Sequence, residues 1–247
     1  VVHGVDTDNS PYDCGSYASS TTYVTGMAVV KTCETLRKKI CERGAEYLGC
    51  SPDDVEFDGE KVVNLKTKEE ITRKEIGNKV MCSSNAPLSA TEAFSSPVSP
   101  PPFMVGIAEV EIEKETGVVE PIDYAAVVDC GTVVNPNLAR VQTEGGIAQG
   151  IGMALYEDII YSEKGKNYSN SFMQYKIPSR LDVGEIRVEF ESSYEPTGPF
   201  GAKSIGEILI NTPSPAISNA VQNAVGVIVR ELPITAEKVY KGMAEKE

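Results

Sequence analysis

The segment VVDCGTVVNPNLARVQTEGGIAQGIGMALYED, residues 127–158, contains the end of a predicted strand and most of a predicted helix over 135–161. Four glycines lie in the middle of that helix: Gly145, Gly146, Gly150 and Gly152. Each glycine costs up to about 1 kcal/mol relative to alanine in a free helix. Their density indicates close approach to the helix backbone, either by a flat ligand or by a second packed helix.

Toward the C-terminus, strands and helices follow one another. Two strands are predicted over 104–115 and 118–129, joined through Thr116-Gly117 in a hairpin. The first alternates cleanly, so one of its faces is expected to be in water. Residues 186–191 form a third predicted strand, and 213–232 and 235–246 are predicted helices. One face of the helix over 213–232 is lined by Ile217, Val221, Ala224 and Ile228.

The N-terminal part also mixes strands and helices. A long helical pattern covers 22–49 and stops at Gly49, a hairpin surrounds Asp58-Gly59, and residues 71–81 form a short predicted helix. Residues 83–102 are rich in serine and proline, which predicts an extended connection. The opening VVHGV reads as a strand, so the chain is expected to start inside a fold, as a fragment or as one subunit of a split polypeptide.

Composition excludes several classes of partner. The 247 residues are 41% apolar, enough for a sizeable core, and their formal charge of −13 argues against nucleic acid and anionic membranes. The printed sequence contains no membrane-length apolar run and opens with no basic-then-apolar leader, so a cytoplasmic location is expected.

The cysteine pattern does not resemble that of a metal site. The six cysteines are scattered without a C-x-x-C pair, and the sequence contains one histidine, His3, so a protein-ligated zinc or iron-sulfur site is not expected. Reduced, buried thiols are predicted instead, at Cys14, Cys33, Cys41, Cys50, Cys82 and Cys130.

Three stretches could carry chemistry. The loop GSYASSTT, residues 15–22, precedes a helix and could seat a phosphate on its backbone N–H groups, or it could be a plain polar loop with a serine cap. Gln142 can offer its amide to the edge of a heterocycle. Glu207, within GAKSIGEILI (201–210), is either an exposed strand-edge charge or an acid whose pKa is raised by burial beside Ile205 and Ile208.

Other catalytic patterns are missing from the sequence. It contains no G-x-S-x-G, no H-E-x-x-H and no acidic metal cluster, so neither a hydrolytic triad nor a metalloprotease site is indicated. Lys203 could offset a raised pKa of Glu207 if the two side chains came close, and it has no other assignment.

Taken in order, the three stretches resemble the molybdopterin-binding subunit of the xanthine dehydrogenase and aldehyde oxidase family of molybdenum hydroxylases. The resemblance runs from DTDNSPYDCGSYASSTTYVTGMAV (6–29) through 127–158 to GPFGAKSIGE (198–207) and corresponds to the C-terminal half of that subunit. It implies an α+β fold, an elongated molybdopterin-binding domain with two lobes of mixed sheets and packed helices. The expected lobes are residues 1–95, completed by a partner chain or missing half, and 96–247.

The resemblance also implies site residues. Glu207 matches the general base next to molybdenum, and Gln142 matches a glutamine that hydrogen-bonds the cofactor. Ser20 stands where many members carry arginine, and Ile208 where they usually carry proline. No side chain is expected to bind molybdenum directly, because the pterin dithiolene holds the metal. The cofactor-binding loop residues implied are Gly15, Ser16, Tyr17, Ala18, Ser19, Ser20 and Thr21.

The implied activity is hydroxylation of an electron-poor carbon of an N-heterocycle or aldehyde, with water as the oxygen source. Molybdopterin, in its cytosine dinucleotide form, would carry molybdenum, and electrons would pass to [2Fe-2S] and FAD partner subunits in a dimer of heteromers. A split bacterial member of the nicotinate dehydrogenase type is suspected. Two alternatives remain open: a noncatalytic scaffold of the same fold, and a reductive member like hydroxybenzoyl-CoA reductase.

Overall fold

The protein forms two compact units in the computed structural model, which describes residues 6–8, 10, 12–13, 15–83, 87–96 and 98–245. Unit 1 comprises Val1–Cys14 and Val24–Pro97, and unit 2 comprises Gly15–Tyr23 and Val98–Glu247. The loop before the first helix therefore clusters with the later part of the chain. The division into lobes between residues 95 and 96 stays a prediction, and the predicted first strand lies outside the described residues.

Unit 1 is built on a long helix. A π-helical turn, Thr21–Thr25, leads into α1 (Gly26–Leu48), which ends where Gly49 adopts φ 66°. Glycine takes this left-handed conformation at little cost, so the predicted stop at Gly49 is confirmed. Gly44 allows α1 to approach the sheet, because a Cβ there would lie 2.6 Å from Val62 Cγ1.

The described sheet of unit 1 consists of three antiparallel strands: β1 (Val55–Phe57), β2 (Lys61–Asn64) and β3 (Glu70–Thr72). The predicted hairpin at Asp58-Gly59 is confirmed by the pairing of β1 with β2. Strand β3 was not predicted, because the short helix was expected to begin at residue 71.

Helix α2 (Arg73–Met81) begins later than predicted because Thr72 is its N-cap. Thr72 Oγ1 accepts a hydrogen bond from the Glu75 N–H at 3.2 Å, and the Glu75 carboxylate accepts one from the Thr72 N–H at 2.9 Å. This capping box was readable in the sequence as T-x-x-E. Ile71 and Ile76, on either side of the cap, are both buried against Val62 and Val80.

Unit 2 contains a mixed three-stranded sheet. β4 (Phe103–Ile112) and β5 (Val119–Asp129) form the predicted antiparallel hairpin, and β6 (Glu185–Phe190) pairs with β5 in parallel. Exposed and partly buried residues alternate along β4, which confirms that one of its faces is in water. The described part of 83–102 between α2 and β4 contains no helix or strand, as predicted.

The α-helices in the described residues of unit 2 are α3 (Pro136–Leu155), α4 (Ile208–Asn211), α5 (Pro213–Val225) and α6 (Ala236–Ala244). The predicted helix over 135–161 was too long, because Tyr156 leaves helical geometry at φ −125°.

The predicted helix over 213–232 was also too long. Gly226 ends α5 in a left-handed conformation with φ 72°. Within α5, Ile217 and Val221 are buried on the predicted face, whereas Ala224 is exposed. Because the helix ends at Gly226, Ile228 is also exposed and Val227 packs into the core instead.

The core of unit 2 lies between the sheet, α3 and α5. Its fully buried side chains come from all three elements, including Tyr124 of β5, Ile147 and Ile151 of α3, and Ile217 of α5. Helices on a mixed sheet confirm the predicted α+β class. Within the described residues, no helix has both the length and the hydrophobicity needed to cross a membrane.

Candidate active site

The loop before the first helix has an unusual backbone. Ala18 and Ser19 are consecutive non-glycine residues in left-handed conformations, with φ 49° and 58°. The turn is closed by the Ser20 N–H, which donates to the Tyr17 carbonyl at 3.0 Å, while Ser20 Oγ donates to the same carbonyl at 2.6 Å. Such strained positions cost on the order of 1–3 kcal/mol each and cluster at functional sites.

Ser19 connects this loop to the candidate base. Its Oγ donates to Glu207 Oε2 at 3.0 Å and accepts from the Glu207 N–H at 2.8 Å. Gly206 permits this approach, because a Cβ on Gly206 would lie 3.2 Å from Ser19 Oγ. Segments 188 positions apart in the sequence are thus joined by two hydrogen bonds.

Glu207 occupies neither of the two environments considered from the sequence. It is solvent-exposed and lies at the start of the four-residue helix α4, not on a strand. The neighbouring Leu209 is fully buried, and Ile205 and Ile208 are partly buried. The apolar residues around Glu207 therefore anchor α4 in the core while its carboxylate stays accessible.

Gln142 lies on the exposed side of α3, close to Gly206 and the candidate base. Its Nε2 donates to the Gly206 carbonyl at a long 3.5 Å. This contact places the amide beside the peptide that precedes Glu207.

The glycines of α3 serve mainly to pack helices together. A Cβ on Gly146 would lie 2.6 Å from Leu209 Cβ, and one on Gly150 would lie 2.5 Å from Pro213 Cγ. Gly152 is similarly blocked by Glu157 and Pro178. Of the two explanations for this glycine-rich helix, helix packing accounts for Gly146 and Gly150, whereas Gly152 is blocked by non-helical residues and Gly145 faces open space.

A cavity of about 580 Å³ in unit 2 gathers residues from all three candidate stretches. Of the residues implied by the resemblance, it is lined by Ser16, Ser19, Thr21, Gln142 and Glu207. Four others, Gly15, Tyr17, Ala18 and Ser20, do not line it.

The cavity is lined by both polar and apolar residues. Ser16, Thr21 and Thr22 are among its polar lining residues, and Thr21 Oγ1 donates to Ser16 Oγ at 3.0 Å. Its apolar lining residues include Val133, Leu138 and Ile205. An apolar wall with a few convergent polar groups is typical of sites for flat organic ligands.

An ion pair between the buried Lys203, which lines the cavity, and the partly buried Asp129 was not predicted from the sequence. Lys203 Nζ lies 2.6 Å from Asp129 Oδ2, and the other carboxylate oxygen, Oδ1, accepts from Ser193 Oγ at 2.5 Å and from the Gly131 N–H at 3.0 Å. Partial burial acts to raise the pKa of Asp129, but these hydrogen bonds outweigh it and lower that pKa. The only sequence signal was a lysine and an aspartate in otherwise apolar surroundings.

The cysteines are only partly as predicted. All five described cysteines are free thiols, but Cys33 and Cys82 are exposed, and only Cys130 is fully buried. Burial, and then the charge of Asp129, raise the pKa of Cys130, so its thiol stays protonated at the cavity wall. Among the described residues, no group of three or more histidine, cysteine, aspartate or glutamate side chains could hold a metal ion.

Residues 1–184 match the family model described as "Molybdopterin cofactor-binding domain". The chain belongs to that family. The match confirms the resemblance inferred from the sequence, although it ends before Glu207, which lies in the part of the chain beyond residue 184.

Relatives extend the similarity over almost the whole chain. The "Probable hypoxanthine oxidase XdhD" of Escherichia coli (strain K12) is 36% identical over 98% of this chain and 25% of its own length. The "6-hydroxypseudooxynicotine dehydrogenase complex subunit gamma" of Paenarthrobacter nicotinovorans is 30% identical over 97% of this chain and 31% of its own length. The chain thus spans only a quarter to a third of these curated relatives.

A solved structure supports the same fold. Quinoline 2-oxidoreductase from Pseudomonas putida 86 superposes with a TM-score of 0.86 at 26% identity, over 96% of this chain and 32% of that one. The chain therefore has the fold of part of a molybdenum-hydroxylase subunit.

Proposed function

We propose that this chain forms part of the molybdopterin-binding subunit of a molybdenum hydroxylase, with Glu207 as its general base. The reaction would hydroxylate an electron-poor carbon of an N-heterocycle or an aldehyde with oxygen from water. The observation that carries the proposal is the cavity, since the Ser16–Thr21 loop, Gln142 and Glu207 meet there although they are far apart in sequence.

The cavity residues fit the proposed cofactor. A pterin is a flat heterocycle, which suits the apolar lining residues Val133, Leu138 and Ile205, and its polar edge could pair with the Gln142 amide. Its phosphate would be held by the Ser16 and Thr21 hydroxyls, because Lys203 Nζ is already bound to Asp129. When bound, the cofactor would supply the two-electron redox chemistry.

Glu207 is suited to accept a proton from water at Oε1. Its other oxygen, Oε2, accepts the Ser19 hydroxyl at 3.0 Å, which fixes the orientation of the carboxylate. Within the described part of the chain, Oε1 has no hydrogen-bond partner and remains available to the cavity. Positioned general bases typically contribute about 10²- to 10⁴-fold to a rate.

Substrates and partners follow by analogy with the relatives. Hypoxanthine and quinoline, which appear in the names of two relatives, are both N-heterocycles, and this favours a heterocyclic substrate. Another relative is named as the gamma subunit of a complex. We propose a cytoplasmic assembly, a dimer of heteromers, with [2Fe-2S] and FAD subunits and the remaining part of the molybdopterin subunit, using the cytosine dinucleotide form of the cofactor.

The decisive test is Glu207→Gln in the complete assembled protein that contains this chain. We expect kcat to fall at least about 100-fold, because the amide cannot accept the proton. Molybdenum content per protomer should stay at the wild-type level, since the substitution preserves size and the hydrogen bond from Ser19. Turnover would be assayed with purines, nicotinate, aldehydes and aryl-CoA thioesters.

The matched control is Glu163→Gln, which removes one negative charge from an exposed residue outside the cavity. It should leave both kcat and molybdenum content unchanged. Substantial turnover in Glu207→Gln, with full metal loading, would rule out the proposed role of Glu207.

A further inference from the structure

The segment that carries Glu207 is attached to the end of strand β5 at Gly201–Lys203. The Thr132 N–H donates to the Gly201 carbonyl at 2.9 Å, and the Lys203 N–H donates to the Cys130 carbonyl at 2.7 Å. Gly131 and Ala202 form an antiparallel bridge between these two bonds. These contacts extend the pairing of β5 by a few residues and stop at Lys203.

Beyond Lys203 the backbone is held only at its far end. In the described structure, the N–H groups of Ser204, Ile205 and Gly206 donate no hydrogen bond. The next backbone groups with a hydrogen bond are the Gly206 carbonyl, which accepts from Gln142 Nε2 at 3.5 Å, and the Glu207 N–H, which donates to Ser19 Oγ at 2.8 Å. Lys203 is therefore the last residue before the carboxylate whose backbone is hydrogen-bonded to the end of β5.

The side chain of Lys203 reinforces this anchor. The residue is only 7% exposed, and its ammonium pairs with Asp129 while lying 5.2 Å from the centre of the Phe103 ring. Asp129 is itself fixed by Ser193 and by the Gly131 N–H. Removing the buried Lys203 would leave the partly buried Asp129 carboxylate without its counter-charge, which favours rearrangement of the segment.

We propose that the Lys203–Asp129 ion pair positions Glu207, by locking the start of the Ser204–Gly206 segment against the end of β5. Lys203 acts through Glu207 and does not itself touch the reacting atoms, since its ammonium is occupied by Asp129. The inference rests on the proposed role of Glu207 as base, and it adds two positioning residues to that role.

The first test measures the position of the segment without using activity. Cys130 is 4% exposed, and its carbonyl accepts the Lys203 N–H, so displacement of Lys203 should uncover the thiol. In the complete assembled protein, alkylation by iodoacetamide would be mapped by mass spectrometry, with the exposed Cys33 as internal reference. Lys203→Met should raise the Cys130 rate about tenfold through local opening, whereas Lys203→Arg should stay close to wild type.

The second test separates positioning from stability. Lys203→Met alone leaves Asp129 unpaired and could unfold unit 2, but Lys203→Met combined with Asp129→Asn removes both charges. We expect this double variant to regain the wild-type Tm and molybdenum content. Its kcat should remain about 10- to 100-fold low with KM unchanged, because Glu207 is misplaced.

Two outcomes would overturn the inference: unchanged Cys130 alkylation in Lys203→Met, or recovery of kcat together with Tm in the double variant. The control is Lys241→Met, which breaks an exposed ion pair with Glu237 and should change neither measurement. Failure of the proposed function is visible separately, as turnover in Glu207→Gln, a variant that should leave Cys130 protected.

Discussion

Ser19 combines a strained backbone with two hydrogen bonds to one residue. Its φ of 58° is unfavourable for any side chain, yet its Oγ both donates to the Glu207 carboxylate and accepts from the Glu207 N–H. A residue that needed only the left-handed conformation would be glycine. The hydroxyl is therefore the reason to keep serine at this position, and its contribution can be measured.

We expect Ser19→Gly and Ser19→Ala to lower kcat about equally, by about tenfold, because both remove the hydroxyl that orients the Glu207 carboxylate. Their stabilities should differ, since glycine adopts φ 58° without strain and alanine does not. Thermal melting and steady-state kinetics on both variants would show this. Wild-type kcat in Ser19→Gly would mean that the loop conformation, not the hydroxyl, orients Glu207.

At the scale of single elements, helix α3 contains two adjacent glycines in opposite environments. Gly145 faces open space, whereas a Cβ on Gly146 would lie 2.6 Å from Leu209 Cβ. Leu209 is fully buried and belongs to α4, directly after Glu207. The packing of α3 against α4 is thus coupled to the position of the candidate base.

This contrast predicts opposite effects of the same substitution. Gly145→Ala should stabilise the protein by about 0.5–1 kcal/mol, because alanine is the better helix former. Gly146→Ala should destabilise it by about 1–3 kcal/mol through overpacking, and should also lower kcat by shifting α4. Urea unfolding and kinetics of the two variants would check both effects. Equal stabilities would show that Leu209 repacks around the added methyl group.

Local sequence patterns predicted most helices and strands of this chain correctly, but they predicted the end residues of these elements less well. Hairpins at Asp58-Gly59 and Thr116-Gly117 were predictable because the turn residues and alternation are local signals. The ends of α3 and α5 were wrong because helical periodicity continued past Tyr156 and Gly226, where the backbone leaves the helix. Strand β3 runs directly into α2, so two of its three residues were assigned to the predicted helix over 71–81.

At the scale of the whole molecule, the sequence alone could name the candidate residues but not their assembly. The order of the three motifs indicated Gln142 and Glu207, and both line one cavity. The Lys203–Asp129 pair could not be predicted, because it joins residues 74 positions apart through the bridge between β5 and the Glu207 segment. Contacts between distant segments depend on packing that no local pattern encodes.

Both units contain carboxyl groups whose pKa is lowered by hydrogen bonds or ion pairs. In Asp129 these contacts outweigh the opposing effect of burial, and in Asp58 the largest contribution is the hydrogen bond from the Lys61 N–H. These groups bind protons more weakly in the folded state than in the unfolded chain. They therefore stabilise the folded state at pH values above their own unfolded-state pKa. The described carboxyl groups with lowered pKa are Asp58, Glu75, Asp123, Asp129, Asp182, Glu195 and Glu237.

The sign of the pH dependence follows from this shift. Below about pH 4, near the unfolded pKa values of aspartate and glutamate, the unfolded chain takes up protons before the folded one does. The free energy of unfolding should therefore fall steadily as the pH drops through the lowered folded pKa values. Asp129→Asn combined with Lys203→Met should show a shallower fall, since it removes one such group together with its cation. Urea unfolding between pH 3 and 7, at roughly one-unit steps, would measure both slopes, and identical slopes would mean that Asp129 titrates alike in the folded and unfolded states.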